Sequence, residues 1–480
     1  MPAGKNKSSS AGAAGAASVR LGILFIALGV LANYWMLHTT FSVGAGSTSK
    51  MLLVSFADLL GIGVGLLLIK FRRRIRPESM ILRLLSRSFI IGSTVIAGSF
   101  VVFMLAELFP GFAGVFDFRP IVYYSIRDSR FMSDSELVFK KRPFVEFEST
   151  ELRGDLYNPA YGVDVQPHAY RSSVDADGFR NHHHGDQADI VVLGDAYVEM
   201  GDDDTDTFAY HLQQFSGLTT ANYGTGWYGP HQYLVMLKRY GLGKNPRYVL
   251  FCFFEGNELK NIIDYLRWRE GDYLILWPPP MLSFFQRYAM FIRNAYSTIP
   301  WLARPGSQLP PAVTPHVGPG IHPDLVKLDL PGRSVIDKFV NQSDTRTPQQ
   351  LLDTEEVREL RSILTEFRAL CVEQMIVPMV VFFPMKAHVY AGLVSPDSGS
   401  KWNEIRDEQL ASLDNVENTV SIICEQVGIE FISVTAALTQ RAKGDKLLFY
   451  HFGTHWASDG RKVAAEYTAD QLRSREAEAQ

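Results

Sequence analysis

The chain has 480 residues, 46% of them hydrophobic and 20% charged, with a formal net charge of -4. That is enough apolar material for a sizeable core and for more than one structural unit. So small a charge, with no basic patch interleaved with aromatics in the later part, excludes the electrostatic footprint of a nucleic-acid binder.

Residues 1–18 are small and polar and are expected to be a disordered cytoplasmic leader. Three apolar runs follow, at 19–41, 51–71 and 88–109, each long enough to cross a hydrocarbon core of roughly 30 Å. A signal peptide does not account for the first run, which is too long and is followed by two more spans rather than a small-residue cleavage site. Lys5, Lys7 and Arg20 precede the first span, and Lys70, Arg72, Arg73, Arg74, Arg76, Arg83 and Arg87 lie between the second and third. The loop between the first two carries Lys50 alone. The positive-inside rule then puts the N-terminus and the Arg-rich loop in the cytoplasm and everything after residue 110 outside. The first expected partner is therefore the lipid bilayer. Tyr34 and Trp35 suit an interfacial belt, and Asp58 reads either as a functional intramembrane carboxyl or as one that reaches water.

Beyond residue 110 strands alternate with helices. Short β-rich runs at 189–194, 218–223, 247–254, 376–384 and 429–434 are separated by helix-like segments near 206–216, 229–240, 354–375, 402–427 and 458–475. This pattern predicts an α/β fold with a parallel sheet between helices, whose ligands bind beyond the carboxyl ends of the strands. A lead-in at 111–188 and an insertion at 262–350 fall outside the alternation. The aromatic and Arg-rich start of the insertion suits either a helix in the membrane interface or packing against the main domain.

Several residues attract notice for their chemistry. Cys252, Cys371 and Cys424 lie in or beside apolar runs and read as buried thiols rather than a disulfide framework. His182, His183, His184 and Asp186 could take up a transition metal, but adjacent loop side chains rarely converge, and no metal is expected. "GDDDTD" (201–206) lacks the spacing of a calcium loop, so Thr205 or Asp206 is expected to cap the next helix. Lys386 and Tyr390 follow the fourth strand, where they could contact a ligand or be, respectively, solvated and packed.

Four blocks then stand in order: "VVLGDAYVEMG" (191–201), "ANYGTGWYGPHQYL" (221–234), "FCFFEGNELKN" (251–261) and "FYHFGTHWASDGRKVAAEY" (449–467). Together they resemble the SGNH (GDSL-type) hydrolases, serine esterases and acyl-transfer enzymes with a flavodoxin-like three-layer α/β/α fold. The resemblance covers about residues 170–475. "DADGFRN" ahead of the first block is similar to bacterial membrane-linked members. The resemblance implies a multi-pass protein of a bacterial cytoplasmic membrane with an SGNH-like domain at 189–475 on its outer face. It implies no cofactor.

Such chemistry needs a hydroxyl nucleophile, a base, a group that orients the base, and donors for the developing oxyanion. The resemblance places Ala196 at the nucleophile, His455 at the base and Asn257 at the asparagine donor. The acid falls on Gly453 or Phe452, and the second-block glycine on Trp227, with Gly224 and Gly226 close by. The oxyanion donors it implies are thus Ala196, Gly224, Gly226, Trp227 and Asn257. Asp195 is expected to tie down the turn, Tyr197 to point away from its apex, and Asp195, Tyr197 and Lys386 are the candidate ligand contacts. Loss of nucleophile, acid and glycine in one site leads us to expect a catalytically impaired domain that binds or presents an acylated envelope glycan or lipid. The alternatives are an O-acyl esterase or acetyltransferase working through His455, and a structural scaffold for protein partners the sequence does not name.

Overall fold

The computed structural model describes residues 130–158, 161–181, 185–270, 325–339, 344–395 and 401–478, with Val19, Leu66, Leu67, Ile69, Lys70, Gly98, Val101 and Met104, which are helical. The chain divides into one unit of Met1–Asp128 and Leu266–Ser307 and a second of Ser129–Tyr265 and Gln308–Gln480. Among the described residues no helix is long and apolar enough to cross a membrane. Apart from those single positions the three apolar runs, and with them Asp58, His182 to His184 and most of the expected interfacial helix, lie outside the described residues.

The second unit opens with two hairpins in the lead-in, β1 (Phe131–Asp134) on β2 (Val138–Lys141) and β3 (Glu146–Leu152) on β4 (His168–Ser173). The sheet begins at β5 (Ile190–Gly194), which runs through the one-turn helix α1 (Ala196–Glu199) to α2 (Phe208–Ser216). It continues with β6 (Thr220–Gly224), α3 (Pro230–Met236), β7 (Tyr248–Phe254) and α4 (Glu258–Arg269). A third hairpin, β8 (Val326–Leu330) and β9 (Arg333–Asp337), precedes α5 (Pro348–Leu352), α6 (Glu355–Glu373) and β10 (Val377–Phe383). Then come α7 (Lys386–Tyr390), α8 (Lys401–Ser412), α9 (Asn415–Val427), β11 (Glu430–Ser433), α10 (Thr435–Ala442) and α11 (Ser458–Glu478).

All five sheet strands are parallel, in the order β11-β10-β7-β5-β6. Numbered along the chain this is the 2-1-3-4-5 arrangement of flavodoxin-like sheets, with the connection reversing direction beside β5. The strands are continuous apolar runs because helices cover both faces. On one face Ile190, Val192, Leu250, Cys252, Met379 and Val381 share a core with Phe208 and Leu212 of α2, Leu438 of α10 and Leu472 of α11. On the other, Phe251 stacks edge-on against Tyr233 of α3 and contacts Phe367 of α6. Residues one apart in a strand therefore serve opposite layers.

Helix ends follow their sequence signals. The Thr207 side chain accepts the Tyr210 N–H at the start of α2, and Gly217, at φ 73°, closes it. The cap is thus Thr207, one residue beyond the pair expected, because Asp206 is held by Arg461 instead. Cys252, Cys371 and Cys424 are buried free thiols.

Candidate functional site

The carboxyl ends of β5, β6 and β7 are neighbours, so the loops carrying Ala196, Gly226 and Asn257 leave the sheet at one edge. The first turn is tight: a Cβ on Gly194 would stand 2.3 Å from the Val198 side chain. Asp195 caps α1, its Oδ1 accepting the Tyr197 N–H at 2.9 Å. Burial, only partly offset by these N–H groups, pushes its carboxyl up to about 7. Ala196 thus occupies the half-buried start of a strand-to-helix turn with a methyl group and nothing able to attack a carbonyl.

Tyr197, expected to point away from the turn apex, reaches the histidine loop. Its ring stacks on Phe254 at 4.1 Å and lies 5.2 Å from that of His455, and its hydroxyl donates to the Thr454 carbonyl at 2.5 Å. Three positions past the strand end, this side chain ties the turn to the histidine loop.

The second-block donors are engaged elsewhere. The Gly224 N–H donates to Asn222 Oδ1 at 2.8 Å and the Gly226 N–H to Glu199 Oε2 at 2.6 Å. A Cβ on Gly226 would lie 3.7 Å from the Ala196 methyl, so this amide sits beside the nucleophile position and already faces a carboxylate. Glu199 is buried, which works against its charge, but its ion pair with Lys141 and the Gly226 amide hold its pKa below the usual range. Trp227, where the resemblance puts a glycine, has φ 67°, the left-handed region that favours glycine, and its side chain is 48% exposed. Asn257 supplies its carbonyl to the first turn of α4, and its Oδ1 is buried with no hydrogen-bond partner among the described residues.

The histidine side is built differently. His455 is half-buried between Thr454 and Trp456. Its Nδ1 lies 3.2 Å from Thr454 Oγ1, which donates to Asp155 Oδ2 at 2.6 Å, while Asp155 Oδ1 accepts the Thr454 N–H at 2.7 Å. Burial lowers the imidazole pKa, with Asp155 pulling the other way. The loop is anchored from beneath by Lys386 and Asp337, a fully buried ion pair at 2.7 Å. The Lys386 ammonium also donates to the carbonyls of Gly453 at 3.0 Å and Tyr450 at 3.1 Å, and Asp337 accepts the Phe452 N–H at 3.0 Å. Lys386, expected as a ligand contact, is therefore spent on the loop, because a buried ammonium needs an anion and carbonyls around it. Tyr390 is packed, its hydroxyl accepting the Leu448 N–H at 2.7 Å.

Sequence reasoning missed three residues of this site. Glu199 could have been noticed, three positions after Ala196 and so on the same side of a helical turn. Lys141 and Asp155 come from the lead-in, which carries no periodicity to place them. Among the described residues no cluster of histidine, cysteine and carboxylate side chains could hold a metal ion.

With this geometry in view, comparison with known proteins is informative at one end of the chain. Residues 339–480 match the family described as ALGX: SGNH hydrolase-like domain, acetyltransferase AlgX. The chain thus carries an SGNH hydrolase-like domain, and the match includes His455 and Gly453 but not Ala196 or Asn257. No curated protein matches. Solved structures with some likeness include a protein assigned to the lipolytic G-D-S-L family from Desulfitobacterium hafniense, at 11% identity and TM-score 0.28, covering 58% of this chain and 97% of its own. A GDSL-like lipase from Bacteroides thetaiotaomicron, at 8% identity and TM-score 0.28, covers 60% and 88%. An alpha/beta hydrolase from the metagenome of Lake Arreo, at 13% identity and TM-score 0.28, covers 61% and 97%.

Proposed function

We propose that the chain is a membrane-anchored, extracytoplasmic SGNH-like protein that binds or presents an acylated cell-envelope glycan or lipid without hydrolysing it. The observation that carries this reading is the pair at the nucleophile turn. Ala196 offers no hydroxyl, and the amide beside it, that of Gly226, is committed to the Glu199 carboxylate at 2.6 Å. A negative group there opposes the negative charge that acyl transfer must develop. The base and its supporting loop are kept, which suits a cleft retained for recognition. Anchoring is supported by the three apolar runs, their flanking cations, and the helical Leu66, Leu67 and Val101, each more than half exposed. That exposure suits lipid contact.

A second reading, an O-acyl esterase or acetyltransferase working through His455, is favoured by the carboxylate that reaches the histidine through Thr454. Hydrolysis of a chromogenic acetyl ester by the full chain, by Ala196→Ser and by His455→Ala separates the two. An inert parent with a gain in Ala196→Ser supports the binding reading. Turnover by the parent that vanishes in His455→Ala overturns it, and inertness in all three points to a scaffold.

A further inference from the structure

We infer that Asp155, carried by the lead-in ahead of the sheet, is the positioning acid of His455, standing in space where position 453 has none to offer. This assignment rests on the reading of His455 as the base of the site. A Cβ built on Gly453 comes within 3.4 Å of Asp155 Oδ1, so the carboxylate fills the volume that a side chain at 453 would enter. The lead-in is fitted to the loop rather than merely near it. The Leu156 N–H donates to the Phe452 carbonyl at 2.8 Å, and a Cβ on Gly154 would fall 2.1 Å from that same oxygen, so only glycine lets the two backbones approach this closely.

The hydrogen bonds have one consistent polarity. Thr454 gives its hydroxyl proton to Asp155, leaving its oxygen to accept Nδ1–H from His455. The imidazole is then fixed in the tautomer whose Nε2 carries the lone pair, the form a general base requires. Asp155 and Glu199 are the carboxylates that favour the charged ring, Arg461 opposes it, and the Tyr197 ring lies against it. The acid has moved from the histidine's own loop to a segment 299 residues away and acts through one hydroxyl.

The test reads His455 directly. Carbethoxylation of the full chain by diethyl pyrocarbonate, followed by peptide mass spectrometry across pH, gives the midpoint at which this histidine loses its proton. Asp155→Asn and Thr454→Val should each lower that midpoint by about half a pH unit or more, while Thr454→Ser and the exposed lead-in variant Asp164→Asn should leave it in place. Unchanged midpoints in both Asp155→Asn and Thr454→Val overturn the assignment. Thr454→Val keeps the Asp155 bond to the loop amide, so it answers even if Asp155→Asn does not fold. In an Ala196→Ser background that turns over acetyl ester, Asp155→Asn should lower kcat about tenfold or more with KM held; an unchanged kcat also overturns it. Should Ala196→Ser remain inert, the binding reading loses its support, and the midpoint decides the role of Asp155 alone.

Discussion

At the ends of β5 and β6, Ala196 presents only a methyl group and the Gly226 amide faces Glu199. In the loop before α11 a histidine, His455, has a carboxylate within two hydrogen bonds of it. The difference follows from what else each region does. The Ala196 methyl can make no hydrogen bond. The loop of residues 450–456 is clamped by Lys386, Asp337 and Asp155 and pinned to Tyr197, so its backbone is part of the core.

The largest effect should come from the clamp. Lys386→Ala leaves Asp337 buried without its cation and should cost about 3–5 kcal/mol in urea unfolding; a loss under about 1 kcal/mol would mean the loop stands without it. At the Ala196 turn, adding Glu199→Gln to Ala196→Ser should free the Gly226 amide and raise ester turnover, toward the roughly 100-fold that one oxyanion donor can supply. Equal rates in the single and double variants would show that this amide was never part of the site.

A pH effect of intermediate size comes from His388 of α7, beside the residue that follows β7. Burial opposes charge on His388, yet Glu255 at 3.0 Å, then Glu417 and Asp414, overcome it and push the pKa up to about 9. An unfolded histidine titrates near 6.5. The folded chain therefore holds the proton more tightly, and this contribution, up to about 3 kcal/mol, is complete below about pH 6.5 and lost as pH rises through 9. Urea midpoints at pH 6 and pH 9.5 should show the fall in the parent and much less of it in His388→Gln. Smallest is Trp227→Gly, where relief of the left-handed backbone, about 1–2 kcal/mol, is partly offset by glycine's greater freedom when unfolded. A net gain of up to about 1 kcal/mol is expected, and a clear loss would show that the indole packs more than it strains.

Much of this architecture was legible because it is written in apolar runs. Residues 190–194 and 248–254 are apolar on both faces, a pattern that a strand covered on two sides must have, and each of the five sheet strands lies within two residues of its predicted span, whereas the six hairpin strands among the described residues were not predicted. Ala196, Gly226 and Asn257 could be brought to one edge because they follow consecutive strands. Lys386 misled because sequence marks a position at the sheet edge but not whether an anion waits beneath it. Asp155 was illegible for a deeper reason: its role depends on a contact across 299 residues of chain, and nothing in "RGDLYNPAYG" distinguishes it from a loop carboxylate.

The fit of Gly154 against Phe452 bears on where the protein can be cut. A fragment begun at residue 189 would keep every strand of the sheet and all four sequence blocks, yet leave behind Asp155 and Lys141, which reach the site only across space. Inertness measured on such a fragment would describe the incision and not the molecule. The shortest piece that can report on this site starts before β2.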